Sequence, residues 1–282
     1  MLLEQAMKRL EGARALDEPA EKLAGLAGSA FRPRLVKNAL SGTWLGHKLH
    51  PALIPLPIGM WSGALLLDTI ATERARVGAD VLVGAGVVAA LPTAAAGLSD
   101  WSDTYGEVRR VGLVHATANT VALTCYTASL VARLLGRRKP AFALSLVGAG
   151  AMGVGGYLGG HLSYVQGVGV ERKAFAPDVP EWTRVLADAE LAEGEPRVVE
   201  AAGARLLLYR QAGTVYALAD RCNHEDGPLH EGKFENGCVT CPWHGSTYRL
   251  ADGGVVRGPA ASSQPTYDTR VVDGAIQVRS PR

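Results

Sequence analysis

The chain has 282 residues, 48% of them hydrophobic and 20% charged, with a formal net charge of +2. So small a net charge says nothing of partners, no basic run suggests nucleic acid, and four cysteines at positions 125, 222, 238 and 241 make no disulfide framework, in keeping with a reducing compartment. The length suits about two domains, and the composition divides accordingly: residues 49–170 are rich in Ala, Gly, Leu and Val, whereas the chain from Glu181 onward is polar and strand-forming.

In residues 1–28, Leu2, Leu3, Met7 and Leu10 share one face of a helical pattern while Glu4, Lys8, Arg9 and Glu11 lie largely elsewhere. This predicts an amphipathic helix, broken near Pro19, within an N-terminal segment 1–40. It lies on a membrane surface or packs on a domain. Neither a signal-peptide pattern nor a twin arginine is visible.

Four apolar segments follow, about 49–71, 81–98, 111–135 and 140–163. Each supplies the roughly 20 apolar residues that a membrane span needs. No Asp, Glu, Lys or Arg occurs in Leu49–Leu67, Val81–Ser99, Val111–Ala132 or Pro140–Val170. Glycines such as Gly84, Gly86, Gly97, Gly148 and Gly159 permit close helix approach. The expectation is an all-α four-helix transmembrane bundle over 41–165. Leu82-Val83-Gly84-Ala85-Gly86 recurs as Leu146-Val147-Gly148-Ala149-Gly150, an offset of 64, and His50 corresponds to His115 at an offset of 65. Both point to a duplicated helical hairpin, a parallel repeat about an axis along the membrane normal.

Counting helices places His47, His50, Asp100, His115 and His161 at one membrane face, the face to which an even number of spans returns the chain. Polar groups at membrane depth are functional candidates. Three readings stay open: His50 and His115 as axial ligands of a haem, the histidines as the lining of a quinone pocket, or histidines that cap helix ends and bond to backbone. Asp68 and Arg133 are expected at the opposite interface, and Asn119 in core hydrogen bonding. This half resembles an uncharacterised four-helix bacterial membrane family often joined to Rieske domains, on the strength of Thr43-Trp44-Leu45-Gly46-His47-Lys48-Leu49-His50-Pro51, Gly97-Leu98-Ser99-Asp100-Trp101 and Gly159-Gly160-His161-Leu162. That resemblance implies architecture and no chemistry.

A Gly- and Pro-containing linker over 166–180 leads to short alternating strands at Arg197–Glu200, Arg205–Arg210, Thr214–Ala219, Val239–Thr240 and Arg270–Arg279, with a turn at Asp273-Gly274. Within them stand Cys222-Asn223-His224 and, after sixteen intervening residues, Cys241-Pro242-Trp243-His244. Two Cys and two His suit a zinc ion. They equally suit a two-iron centre in which thiolates hold one iron and imidazoles the other. Zinc fingers usually pair Cys with Cys and His with His, whereas here each loop supplies one of each. Cys238 is expected as a buried strand residue.

These two loops resemble the Rieske family. The resemblance implies an all-β Rieske-type [2Fe–2S] domain over 181–282, with Cys222, His224, Cys241 and His244 as the cluster ligands. Ser246 and Tyr248 match positions whose hydroxyls, in that family, bond a bridging sulfide and a ligand sulfur. The extra cysteines of cytochrome bc Rieske subunits are replaced by Gly227 and Trp243, so their disulfide is missing. A potential between those of ferredoxins lacking both hydroxyls and disulfide-bearing proteins follows. Leu229, Pro242, Trp243 and the Pro259 loop are expected as an apolar collar, and His230 as a surface residue. No chain remains for the mononuclear-iron domain of a complete Rieske oxygenase.

The expected function is membrane-anchored one-electron transfer, coupled to a quinone or haem site in the bundle, with a redox partner protein or quinone and the lipid bilayer as partners. The rival is a membrane-bound redox or iron sensor that uses the cluster without turnover. Six positive residues on one side against eight on the other barely orient the protein; cytoplasmic cluster assembly places the Rieske domain inside, in a bacterial inner membrane.

Overall fold

Apolar runs become helices and the alternating runs become strands in the computed structural model, which describes residues 2–70 and 72–282. The helices are α1 (Leu2–Glu11), α2 (Asp17–Ala30), α3 (Arg34–Ser41), α4 (Leu49–Leu53), α5 (Pro55–Asp68), α6 (Glu73–Trp101), α7 (Gly106–Leu134) and α8 (Arg138–Gly160), the last running into a π-helical turn, His161–Val165. Two units result, Met1–Arg32 with Lys48–Val168, and Pro33–His47 with Gly169–Arg282. The short stretch Pro33–His47 therefore folds with the strands, as does the linker from Gly169.

In the first unit the helix break falls at Gly12–Leu16 rather than at Pro19. Pro19 instead stands in the first turn of α2, where its missing N–H would have lacked an intrahelical acceptor anyway. Met7 and Leu10 pack against Val111 and Leu158, so α1 lies on α7 and α8, while Leu3 is exposed. The predicted place of the Leu2 side chain lies outside the described residues.

Three stretches are long and apolar enough to cross a membrane: Leu49–Asp68, Glu73–Trp101 and Arg138–Val165. Many of their large apolar side chains are exposed, among them Val88, Leu91, Val147 and Val154. Exposed apolar side chains on helices of this length suit a lipid environment.

Duplication is visible in the packing, and its register differs from the one the sequence suggests. Trp61 of α5 lies on Gly86 of α6, and Tyr126 of α7 lies on Gly148 of α8. His50 of α4 lies on Gly97 and donates from Nδ1 to Thr93 O at 2.8 Å; His115 lies on Gly159 and donates to Gly155 O at 2.8 Å. From the first hairpin to the second, 86 goes to 148, 97 to 159 and 93 to 155, a shift of 62 in every case. The repeated Leu-Val-Gly-Ala-Gly, shifted by 64, misses this register by two residues, about 200° around a helix. It reflects shared Ala/Gly composition.

First and third helices do keep the offset of 65, and residues so related touch one another. His50 meets His115 with ring centroids 6.4 Å apart, Trp61 stacks on Tyr126 at 4.2 Å, and Asp68 pairs with Arg133. Contact between equivalent residues is the mark of a two-fold axis. At the Asp68 end, Arg133 also reaches Asp80 at 3.1 Å and Ser129 at 3.2 Å, and Ser129 bonds Ser145 at 2.8 Å. Asp68 and Arg133 are thus partners in a buried network.

The second unit contains β1 (Thr183–Ala187), β2 (Arg197–Ala201), β3 (Ala204–Gln211), β4 (Thr214–Ala219), β5 (Lys233–Glu235), β6 (Cys238–Thr240), β7 (Thr247–Arg249), β8 (Val255–Arg257), β9 (Thr266–Val272) and β10 (Ala275–Arg279). Antiparallel pairing yields a six-stranded sheet in the order β1-β10-β9-β4-β3-β2 and a four-stranded sheet β5-β6-β7-β8. The run Leu206–Tyr209 is buried on both faces. Leu206 and Leu208 join Val199, Ala217 and Ile276 in one core, while Leu207 and Tyr209 face Leu229, Val239 and Tyr248 in the other. That second core also holds Cys222 and Cys241, so the cysteines are rooted in the packed interior.

Candidate metal centre

Two turns present the four predicted ligands. The first follows β4, where Cys222 N–H donates to Gly227 O at 2.8 Å and Asp226 N–H to Cys222 O at 2.9 Å. Asp226 turns the chain with φ of 59°, a left-handed conformation that Asp tolerates. The second turn joins β6 to β7: Cys241 N–H donates to Ser246 O at 2.8 Å and Gly245 N–H to Cys241 O at 3.1 Å. Gly245 has φ of +72°, which only glycine adopts freely. Gly227 is needed for a different reason, since a Cβ there would stand 2.6 Å from Cys241 Sγ.

The donors come together in pairs. Cys222 and Cys241 are buried in the same core, and each sulfur perturbs the ionisation of the other. His224 and His244 place their ring centroids 5.0 Å apart at 85°. Among the described residues no three His, Cys, Asp or Glu side chains gather as one mononuclear ion would require. Two pairs are what a two-iron centre takes, with thiolates on one iron and imidazoles on the other. The donor set fits a [2Fe–2S] group.

Electrostatics agree with that use. Interaction with the Cys241 sulfur, then burial, push the Cys222 thiol well above its ordinary value; the same interaction, opposed by burial, brings Cys241 down to about 7. Loading a cationic centre on the pair displaces the thiol protons. Burial, then the neighbouring Cys222 sulfur, push the Tyr248 phenol well above its ordinary value, so it stays a donor. Its Oη lies 3.2 Å from Cys222 Sγ. Ser246 is fully buried, and its Oγ accepts Ala260 N–H at 3.0 Å.

Several supports escaped the sequence reading. Asn223, between the first two ligands, is fully buried: its N–H donates to Gln264 Oε1 at 2.8 Å, its Nδ2 to Ser262 Oγ at 2.9 Å and to Glu171, and its Oδ1 accepts Lys173 N–H at 2.6 Å. Gln264 also donates to the carbonyls of Ala219 and Arg221, at 2.8 and 2.6 Å. Residues 171–173 thereby brace the first ligand turn. The signal available for Asn223 was an amide with no apolar role set between two ligands; Gln264 and Glu171 had none.

Other expectations shift. His230 is half-buried, and its Nδ1 donates to the wholly buried carboxylate of Asp220 at 2.8 Å, with Arg205 Nε on the same group at 2.8 Å. The ring satisfies a buried charge, which a surface residue would not. Leu229 belongs to the core beneath the turns rather than to a collar, and Pro259 is buried; Pro242 and Trp243 form the exposed rim. His224 is buried, not displayed on an open loop. A Cβ on Gly227 would stand 3.2 Å from the Trp243 ring, so the two positions that carry a disulfide in bc-type subunits are adjacent here and filled by an indole over a glycine. Cys238 lies in β6 but is only half-buried.

Of the predicted membrane-face group, His50 and His115 come together. Asp100 instead pairs with Lys48 at 2.9 Å, His161 with Glu11 at 2.7 Å, and His47 falls in the stretch that folds with the strands. Asn119 Nδ2 donates to His115 O at 2.9 Å and lies 3.2 Å from its Nε2, in the core hydrogen-bonding role expected of it.

Residues 181–268 match a family model described as Rieske [2Fe-2S] domain, and residues 46–172 one described as Predicted membrane protein (DUF2231). The chain is 32% identical over 98 residues to the anthranilate 1,2-dioxygenase ferredoxin subunit of Burkholderia cepacia, covering 35% of this chain and 91% of that protein. It is 34% identical over 90 residues to the 3-phenylpropionate/cinnamic acid dioxygenase ferredoxin subunit of Photorhabdus laumondii, covering 32% and 85%. Human apoptosis-inducing factor 3 is 29% identical over 93 residues, which are 33% of this chain but only 15% of that protein.

Proposed function

Because this chain belongs to the Rieske [2Fe-2S] family and carries a DUF2231 membrane domain ahead of its Rieske domain, we propose that it is a membrane-anchored one-electron carrier. The observation that carries this reading is the pairing of Cys222 with Cys241 and of His224 with His244 by the same two turns. Cys222 and Cys241 would hold one iron, and His224 and His244 the other. A bound [2Fe–2S] group supplies reversible one-electron exchange. Tyr248 Oη donates to the Cys222 sulfur and Ser246 Oγ has its own hydrogen free to donate, so both stabilise negative charge on sulfur and raise the potential. Trp243, half exposed at the rim, offers a partner protein an apolar contact beside His244. Relatives matched over most of their length are, by name, ferredoxin subunits of dioxygenases, which supports a protein redox partner.

Four spans anchor it in this reading, with the Rieske domain on the cytoplasmic side. α7 is the fourth: its Thr117, Thr120, Thr124 and Thr127 hydroxyls all donate back to carbonyls four residues earlier at 2.7–2.8 Å, leaving no unsatisfied hydroxyl toward lipid. Protease protection of inverted and right-side-out vesicles tests the orientation; cleavage of the Rieske domain only from the outer face overturns it.

The electron source in this proposal is a quinol at His50 and His115. Both rings donate from Nδ1 to backbone carbonyls, so in the neutral imidazole Nε2 is the acceptor atom, the complement of a quinol hydroxyl that at His115 would take the place of Asn119 Nδ2. Gly97 and Gly159 are covered by the imidazoles themselves, and Asn119 occupies the face of His115, which suits a small ring better than a porphyrin.

Reduced, detergent-purified protein should give a low-g Rieske EPR signal, and its absence after anaerobic preparation would sink the central claim. Quinol should reduce the cluster within the turnover time, and the rate should fall at least tenfold in His115→Ala. A Soret band would replace quinol by haem at this pair, and cluster-dependent partner binding without quinol reduction would favour a sensor.

A further inference from the structure

The third loop of the cluster domain, Arg257–Ala260, touches the second ligand turn at two points. Arg257 Nη1 donates to Gly245 O at 3.0 Å and to Gly258 O at 2.9 Å. Ala260 N–H donates to Ser246 Oγ at 3.0 Å. A serine oxygen that accepts an amide hydrogen is held in one rotamer, and its own hydrogen is left to be donated elsewhere. The placement of Ala260 therefore decides whether the Ser246 hydroxyl is available to sulfur.

That loop is held from its other side by residues that precede the membrane helices in sequence. Asn38, on α3, donates from Nδ2 to Val256 O at 3.1 Å and accepts Gly258 N–H on Oδ1 at 2.9 Å. One amide thus pairs with alternate backbone groups of β8 and its extension, as a neighbouring strand would. One turn on, Ser41 is fully buried, and a Cβ on Gly258 would come within 3.1 Å of its Oγ. Nothing else in α3 accounts for an asparagine at this position: an apolar residue would leave Gly258 N–H and Val256 O without these partners.

We propose that Asn38 is a positioning residue for the redox potential of the cluster: by holding Val256 and Gly258 it keeps Ala260 N–H on Ser246 Oγ, and so keeps the Ser246 hydroxyl as a donor to the cluster sulfur. This rests on the reading that Cys222, His224, Cys241 and His244 hold a [2Fe–2S] group. The potential of the cluster is then set in part by a residue encoded before the membrane domain.

EPR-monitored redox titration of the full-length protein in detergent tests it. Hydrogen bonds to sulfur raise the potential, so Asn38→Ala should lower the midpoint, in the same direction as Ser246→Ala and by a smaller amount. The double variant should titrate with Ser246→Ala alone, because the two act through one hydroxyl. Asn38→Gln keeps a neutral amide that can still meet Gly258 N–H and should fall between wild type and Asn38→Ala. A wild-type midpoint in Asn38→Ala, with or without a lowered melting temperature, overturns the proposal, as does a double variant that shifts by the sum of the singles. If Asn38→Ala loses the cluster, Asn38→Gln decides: a lowered midpoint supports the proposal and an unchanged one overturns it. Absence of a Rieske signal in wild type would instead remove the cluster reading beneath it.

Discussion

Both halves of this protein bring two histidines together at nearly a right angle, 5.0 Å apart in the cluster domain and 6.4 Å in the helical one, by opposite means. His224 and His244 lie twenty residues apart in sequence, on two turns whose geometry is closed by local backbone bonds and by glycines. His50 and His115 lie on separate hairpins, and each is fixed by a bond across its own hairpin to a helix carbonyl. Loops can satisfy their own polar groups and so can be specified locally. Helices in lipid have already used their backbone groups, so polar side chains must find partners on other helices or borrow a carbonyl. The difference predicts where each half is fragile.

The largest effect lies at the ligands. Cys241→Ser should abolish the Rieske EPR signal, because a serine hydroxyl ionises far above the value that Cys241 reaches; a retained signal would show that the pairing of cysteines is not what holds the group. In the helical unit the counterpart is Arg133, 1% exposed and bonded to Asp68, Asp80, Ser129 and Ser145. Arg133→Met leaves Asp68 buried without its cation and should cost about 3–5 kcal/mol, read as thermal stability in detergent. If the two-fold axis is real, the exchange Asp68→Arg with Arg133→Asp should recover part of that loss. Full recovery is not expected, since Ser129 and Ser145 surround only one of the two sites.

A finer probe of the duplication uses its glycines. A Cβ on Gly86 would stand 2.3 Å from Trp61 Nε1, against 2.9 Å from Tyr126 Cε2 for Gly148. Gly86→Ala should therefore destabilise more than Gly148→Ala, each within about 1–3 kcal/mol; the reverse order would break the equivalence of the two hairpins. The smallest shift belongs to Tyr248→Phe, which removes one hydrogen bond to Cys222 Sγ. At about 1 kcal/mol for such a bond the midpoint should drop by on the order of 40 mV, and an unchanged midpoint would leave Tyr248 a purely packing residue.

Cysteine and histidine spacing was enough to propose a ligand set, because each candidate pair is presented by a turn of a few residues and the chemistry of the donors is carried by residue type. Hydropathy was enough for the apolar helices, and alternation for β2, β3, β4 and the β9–β10 hairpin, because both periods are local properties of the backbone. Apolar composition alone could not supply the register of the hairpins. The repeated Leu-Val-Gly-Ala-Gly favours a shift of 64, and only the contacts of Trp61 with Gly86 and Tyr126 with Gly148 reveal 62.

Tertiary structure alone decided which of the five polar residues expected at one membrane face meet. Asp100 and His161 found Lys48 and Glu11, charged partners that no spacing rule connects to them. It alone decided that Asn223, Asp220 and Gln264 brace the ligand turns through bonds spanning ten to fifty-two residues. And it alone took Pro33–His47 out of the helical half and set Asn38 on the loop behind Ser246. The physical reason is common to all three. Turn geometry and helix or strand period are written within a few residues, but a buried donor or acceptor will take whatever complementary group the folded chain brings within 3 Å, and sequence distance does not enter that choice.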